Sequence, residues 1–442
     1  AASPKSGEND AVKLASVEIR NFRAIEEMTL PLHPQLTVLH GENGLGKTSV
    51  LRAIAVGLGA IPRLLPHVRG IDVARNDLRR GSEGTYVILN VQNGGSWSCR
   101  GGSYYEALNR AATGQPLPGT NWLNEQLRRI VDADTEGDPM ELPVIAFYDT
   151  DRTVLDVPQR RRDFPKDFHR YEALSGALSA RANFREFFQW FYAKQTEEAL
   201  EKDERQDLGF RLPDLSAVRA AISSVLGDVS NPRIRIRPLR FEVTLRGEGR
   251  KERLELDHLS GGYRTTLALA ADLARRMAQG NPHLEDPLQS EAVVLIDEVD
   301  LHLHPAWQQR ILPDLPRTFP NAQFVVTTHS PQVLTTVKPE QVVTLVREDG
   351  RIVARAPGWG TYGAEAGSVL SAVMGVEPRP RNEFSEMLDR YRELVEDDKG
   401  ETEEALALRE ALDKWNRHDP DLVRADVAIR RRKTLRQIGR AG

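Results

Sequence analysis

The chain has 442 residues, 60 Lys and Arg against 64 Asp and Glu, a net charge of −4 and one cysteine; 40% of residues are hydrophobic and 28% charged. This length and balance fit a globular protein with a large core and two or three structural units. They exclude a global attraction for polyanions, so any nucleic-acid surface has to be local. The lone thiol, Cys99, excludes an internal disulfide and fits a reducing compartment. No stretch reaches the roughly 18 apolar residues of a membrane span, and the opening AASPKSGEND lacks a secretory apolar region. A cytoplasmic protein without a membrane partner is expected.

In chain order, Val12 to Ile19 alternates as a strand, with Arg20-Asn21-Phe22-Arg23 in the turn after it. Leu36 to Leu39 is a second short strand. It runs into Gly41-Glu42-Asn43-Gly44-Leu45-Gly46-Lys47-Thr48, the spacing G-x-x-x-x-G-K-[ST] of a phosphate-cradling loop. Its glycines let backbone N–H groups converge on phosphate oxygens, and the helix from Lys47 through Leu58 adds its dipole. That pattern assigns Lys47 to the β and γ phosphates and the Thr48 hydroxyl to Mg2+, with Gly41, Glu42, Asn43, Gly44, Gly46 and Ser49 completing the cradle.

Thr85 to Val91 alternates as a strand, and the pairs Gly94-Gly95 and Gly101-Gly102 punctuate an antiparallel meander. Leu142 to Phe147 is a buried strand ending in Tyr148-Asp149-Thr150-Asp151-Arg152, either a second ligand-facing loop or a solvated turn. Between about 153 and 232 the character turns helical. Arg160-Arg161-Arg162, Lys166 and His169-Arg170 form a basic stretch, readable as a solvated face or a nucleic-acid contact. Phe184, Phe187, Phe188 and Phe191 fall on one helical stripe, more readily core than a base-stacking platform. Residues 233–237 (RIRIR) and 241–245 (FEVTL) read as a strand pair returning to the main sheet.

Leu259-Ser260-Gly261-Gly262-Tyr263 follows, with Ser260 as N-cap of an amphipathic helix through Leu267, Leu269, Leu273 and Met277. Small residues at a helix start again offer N–H groups to phosphate. Ala292 to Ile296 is a strand buried on both faces that delivers Asp297 and Glu298 to its carboxyl edge, where open α/β sheets bind ligands. Asp297 is placed to hold Mg2+, and Glu298 to polarise a water against a phosphate. The strand Gln323 to Thr328 ends in His329, which can donate a hydrogen bond to charge developing on a γ-phosphate. Asp300, His302 and His304 mimic a metal site, but the adjoining Pro305 favours a structural loop. Val342 to Val346 and Arg351 to Ala354 form a hairpin. Helical stripes follow at Phe384–Leu394 and Ala405–Trp415, and Asp419-Pro420 opens a last helix carrying Arg430-Arg431-Arg432-Lys433.

P-loop, LSGG, acidic strand and strand-end histidine, in this order, resemble the ATP-binding-cassette class of ATPases, in the soluble branch of RecF, SMC and OLD-family proteins. Arg20-Asn21-Phe22-Arg23 resembles that branch's N-F-[KR] element and adds Arg20, Phe22 and Arg23 to the nucleotide contacts. D-E-V-D-L-H-L-H-P with T-T-H-S-P resembles OLD-like and Septu- or retron-type anti-phage ATPases, as does the tail from Tyr362-Gly363 through Met374-Gly375-Val376.

The resemblance implies an α/β P-loop NTPase of ATP-binding-cassette type with a helical insertion and a helical C-terminal extension. The ATPase domain would comprise 1–152 and 233–357, the insertion 153–232, and a docking extension 358–442. It also implies a composite site. Lys47, Thr48, Asp297, Glu298 and His329 of one protomer would face Leu259, Ser260, Gly261 and Gly262 of another, around ATP and Mg2+, in a homodimer or higher even-numbered oligomer. Septu-type relatives work with a separately encoded HNH nuclease, so a nuclease partner and a DNA-sensing clamp in anti-phage defence are expected. The chain departs from the pattern twice: His304 stands at the D-loop aspartate, and no Q-loop glutamine is evident. After Glu396 no D-x-D in a sheet-like context completes a TOPRIM nuclease site. A RecF-like repair factor, or a transporter's nucleotide-binding subunit, are the alternatives; the long insertion and missing Q-loop weigh against the latter.

Overall fold

The computed structural model describes residues 12–102, 117–150, 158, 164–165, 167–179, 184–247 and 250–438. The basic residues Arg160, Arg161, Arg162 and Lys166 lie outside them. The chain divides into two compact units, Ala1–Met374 and Gly375–Gly442.

The first unit is built on a six-stranded sheet. Its strands are β3 (Leu36–His40), β6 (Val144–Tyr148), β10 (Ala292–Ile296), β11 (Ala322–Thr327), β12 (Val342–Glu348) and β13 (Arg351–Arg355), in the order β13-β12-β3-β11-β10-β6. All neighbours are parallel except the edge hairpin β12–β13. Every residue of β3, β6, β10 and β11 is buried, as uninterrupted apolar runs require when both faces of a parallel sheet are covered. Alternation decides which face. Val293 and Leu295 join one core, with Ile145 and Phe147, while Ala292, Val294 and Ile296 join the other, with Val144 and Ala146.

The first core is closed by helix α1 (Lys47–Leu58) and a four-stranded antiparallel sheet, β1 (Leu14–Phe22), β2 (Ile25–Pro31), β4 (Gly84–Val91) and β5 (Ser96–Gly102), in the order β2-β1-β4-β5. Helix α2 (Asn121–Glu136) adds Leu123, Leu127 and Ile130 to it. Over the opposite face lie α3 (Phe184–Glu204), α4 (Pro213–Leu226), α5 (Gly261–Gly280) and α6 (Pro305–Thr318). The aromatic stripe of α3 is core: Phe184, Phe187, Phe188 and Phe191 are at most 2% exposed, and Phe187 packs edge-on to Phe241 at 5.6 Å. Arg170 is likewise internal, bridging Asp134 at 2.9 Å and the Met140 carbonyl.

The strand pair 233–245 does not return to the main sheet. β7 (Val229–Ile236), β8 (Leu239–Arg246) and β9 (Lys251–Glu255) form a separate three-stranded antiparallel sheet. The reason is legible in RIRIR: arginines at alternate positions need a solvated face, which a strand covered on both sides cannot provide.

Helix α7 (Ala366–Ala372) packs Val369 into the core of the first unit, and the second compact unit begins at Gly375. That unit packs α8 (Glu383–Glu396), α9 (Glu403–Asn416) and α10 (Pro420–Ile438) around Leu388, Tyr391, Leu394, Leu412 and Leu422. Asn382 caps α8 by accepting from the Ser385 N–H, and Thr402 caps α9. Part of the terminal basic run is used inside the unit: Arg432 donates to the Val395 carbonyl, and Lys433 pairs with Glu401 at 3.2 Å.

Candidate nucleotide site

Strand register sets the site. Ile296 stands beside Tyr148 on one side and Val326 on the other, and Thr327 stands beside Leu39. The carboxyl ends of β6, β10, β11 and β3 therefore bring Asp297, Glu298, Thr327, Thr328 and His40 to one edge, next to the loop Gly41–Gly46.

That loop depends on glycine in two places. A Cβ on Gly41 would lie 2.6 Å from the Leu345 carbonyl oxygen, and Gly46, at φ +78°, turns the chain into α1 in a left-handed conformation. No side chain caps α1 and no acidic residue occupies its first turn, so its leading N–H groups keep their capacity for an anion. Glu42, Asn43, Gly44 and Thr48 are exposed, whereas Ser49 is buried in the first turn. Lys47 is 7% exposed, and its ammonium donates to the carbonyls of Gly41 (2.8 Å) and Glu42 (3.0 Å). Burial pulls its pKa below the usual lysine value, against the opposing pull of Asp297 and Glu298.

Across the loop, the Thr48 hydroxyl donates to Asp297 Oδ2 at 2.7 Å. Asp297 is 2% exposed, and its N–H donates to the Tyr148 carbonyl at 2.8 Å. The Thr327 hydroxyl donates to the other Asp297 oxygen and accepts from the Glu298 N–H at 2.7 Å. Glu298 is half-buried with φ +46°, a left-handed backbone that a side chain tolerates only where its surroundings enforce it. His329 is half-buried at the exit of β11.

The LSGG corner is built differently. Ser260 occupies the N-cap position of α5, but its hydroxyl accepts no capping bond and the residue is exposed. Leu259 is buried beneath it, and the corner packs on the loop after Glu298: a Cβ on Gly262 would meet the His302 carbonyl oxygen at 2.7 Å. Tyr263 packs edge-on to Trp307 at 4.6 Å, and its hydroxyl donates to Asp228. Among the described residues no hydrogen bond joins 259–262 to 41–49.

Three candidates from the N-F-[KR] element fare differently. Phe22 is fully buried in the core between α1 and the antiparallel sheet, where its side chain packs. Arg23 is held by the buried Asp77, its Nε donating to Oδ1 at 2.9 Å. Arg20 is half-buried on β1, opposite Glu27. His304 caps α6 through Nδ1, which accepts from the Ala306 N–H, and Asp300 accepts from the Thr328 hydroxyl at 2.6 Å. Both are structural, and among the described residues no group of three or more His, Cys, Asp or Glu is placed to hold a metal.

A family profile described as "AAA domain, putative AbiEii toxin, Type IV TA system" matches residues 103–335, more than half of the chain, and a second, "AAA ATPase domain", matches 13–58. The chain belongs to this AAA-domain ATPase family. It is a nucleotide-binding ATPase. It is 27% identical to "Retron Ec83 probable ATPase" of Escherichia coli, over 97% of this chain and 89% of that protein. It is 25% identical to "Septu protein PtuA" of Bacillus mycoides, over 91% of this chain and 51% of that protein. Among solved structures, the Smc head domain of Pyrococcus furiosus aligns with 78% of this chain and 96% of that one, at 15% identity and a TM-score of 0.43.

Two residues of this candidate site escape sequence reasoning. Thr327 is the hinge of the acidic edge, bonding Asp297 and the Glu298 backbone at once; it sits inside T-T-H-S-P, where the histidine draws attention first. His40 lies below the loop at 2% exposure, its Nε2 2.7 Å from the Thr344 hydroxyl. Burial, then the nearby Lys47 and His329, push it down to about 4, so it is a neutral imidazole at physiological pH. Only its place as the last residue before Gly41 signals it. Among the described residues, no helix is long and apolar enough to cross a membrane.

Proposed function

We propose that this ATPase is an ATP-gated homodimer, or a higher even-numbered assembly, whose closure controls a separately encoded nuclease of HNH type in anti-phage defence, with DNA as the sensed ligand. Lys47, Thr48, Asp297, Glu298 and His329 of one protomer act on nucleotide completed by Ser260, Gly261 and Gly262 of the other. The observation that carries this reading is the exposed Ser260 corner. An uncapped helix start is an anion-seeking group, and among the described residues no hydrogen bond ties it to the loop of its own chain.

The residues fit ATP and Mg2+. The N–H groups opening α1 and the Lys47 ammonium hold phosphate oxygens, and the paired Thr48 hydroxyl and Asp297 carboxylate are hard oxygen donors suited to Mg2+. Held by these two oxygens, Mg2+ would supply charge neutralisation to the phosphates. Glu298, fixed through its backbone by Thr327, orients and deprotonates the attacking water. His329 donates to the charge gathering on the γ-phosphate. The defence role rests on the Septu- and retron-type resemblance, which likeness over nearly the whole chain supports.

Co-expression with the product of the adjacent gene tests the partner. A stable complex whose nuclease activity changes with ATP is the expected result. No complex, with replication genes as neighbours and DNA-loading activity alone, would favour a RecF-like repair factor.

A further inference from the structure

Sheet β7–β9 has two unlike faces. Ile234, Phe241 and Val243 point into the core and are at most 3% exposed. The register places Arg233, Arg235, Arg240, Arg246, Lys251 and Arg253 on the other face, where Glu242 and Glu255 are the only carboxylates among the described residues. Glu242 is already taken by Arg233 at 2.7 Å, and Glu255 by Arg240. Arg246 stands directly opposite Lys251, and Arg235 opposite Arg240. Among the described residues Arg246, Lys251 and Arg253 have no carboxylate partner, and all three are exposed. Like charges placed across a strand pair weaken a sheet unless an anion screens them. This concentration occurs in a chain whose net charge is −4.

From this face we infer a docking surface for the phosphate backbone of double-stranded DNA. Its chemistry selects that occupant. The face carries no aromatic side chain to stack an unpaired base, so phosphates rather than bases are recognised. Arginine and lysine side chains spread over three strands match a charged rod in which register does not matter, which makes the contact indifferent to sequence. Lys202 and Arg219 line a groove of about 390 Å³ between α3 and β7, but both are paired there with the buried Glu198 at 3.0 Å, so they add little to the cationic face.

The sheet is also joined to the LSGG corner at both ends. β9 leads through Leu256–His258 directly into Leu259 and Ser260, and the Tyr263 hydroxyl holds Asp228, the residue before β7. A duplex seated here therefore pulls on the element that completes the partner's nucleotide pocket. This deepens the DNA-sensing part of the proposed function. Its test is an equilibrium measurement without nuclease or ATP turnover, so it fails or succeeds separately from nuclease control.

The full chain is titrated with a fluorescent 30-base-pair duplex over a series of salt concentrations. Arg246→Ala/Lys251→Ala/Arg253→Ala is expected to bind at least tenfold more weakly at low salt and to lower the log–log salt slope by about 2 to 3. Its Tm should stay level or rise, since a like-charge pair is relieved. Arg430→Ala/Arg431→Ala, exposed cations of the second unit, should bind as the wild type does. If the triple variant does not fold, Lys251→Gln alone should lower the slope by about one. An unchanged slope, no duplex binding by the wild type, or tighter binding to a single strand of the same length overturns the assignment.

Discussion

Glu298→Gln is expected to lower ATP turnover at least about a hundredfold while leaving ATP affinity within about threefold of wild type. The carboxylate follows strand β10, and its backbone is locked at φ +46° by a bond to Thr327, so position does not depend on the side chain's charge. The amide keeps the shape and loses the base. Lys47 retains its bonds to Gly41 and Glu42, and Thr48 keeps Asp297, so the phosphate cradle survives. With binding intact and turnover blocked, the variant should accumulate as a dimer in ATP, read as an ATP-dependent mass shift by light scattering. Near-wild-type turnover in this variant would remove Glu298 from the mechanism.

Lys47→Ala should instead lose binding. Lys47 is 7% exposed and its ammonium bonds the loop carbonyls beside the acidic edge, so its removal deletes a cation of the phosphate cradle and leaves Asp297 and Glu298 less compensated. A charge-assisted bond of this kind is worth about 1.5–3 kcal/mol, which gives a loss in ATP affinity of about 10- to 150-fold. Calorimetric titration in magnesium reads it directly. Affinity equal to wild type would show that the α1 N–H groups alone hold the nucleotide.

The two variants separate because each acts on one feature that the sequence makes plain. Gly41–Thr48 and Ala292–Glu298 are legible because backbone need and chemistry coincide there: glycines at a turn forced by the Leu345 carbonyl, and an apolar strand ending in two acids. The β7–β8 pair is misread because alternation marks a strand without saying which sheet receives it; only the arginines at alternate positions carried that information. The depth of Phe22 is not legible because a short motif says nothing of burial, and its ring lies within the core. His40 and Thr327 escape because their importance comes from neighbours that only the fold brings together: Thr344, 304 residues from His40, and Glu298, 29 residues from Thr327 and beside it only once β10 and β11 pair. The place of α7 is not legible for a similar reason, since one buried valine, Val369, ties it to the first unit.

The divided pocket is tested most directly by mixing two inactive proteins. Ser260→Glu places a carboxylate at a helix N-terminus, which favours the fold yet repels phosphate, and Lys47→Ala empties the opposite half of the site. In a mixed dimer one pocket carries both lesions and the other carries none. Equal mixing should therefore restore about a quarter of wild-type ATPase activity, from half the dimers with one working pocket each. Full turnover by Ser260→Glu alone, or a mixture as inactive as its components, would contradict a nucleotide pocket shared between two chains.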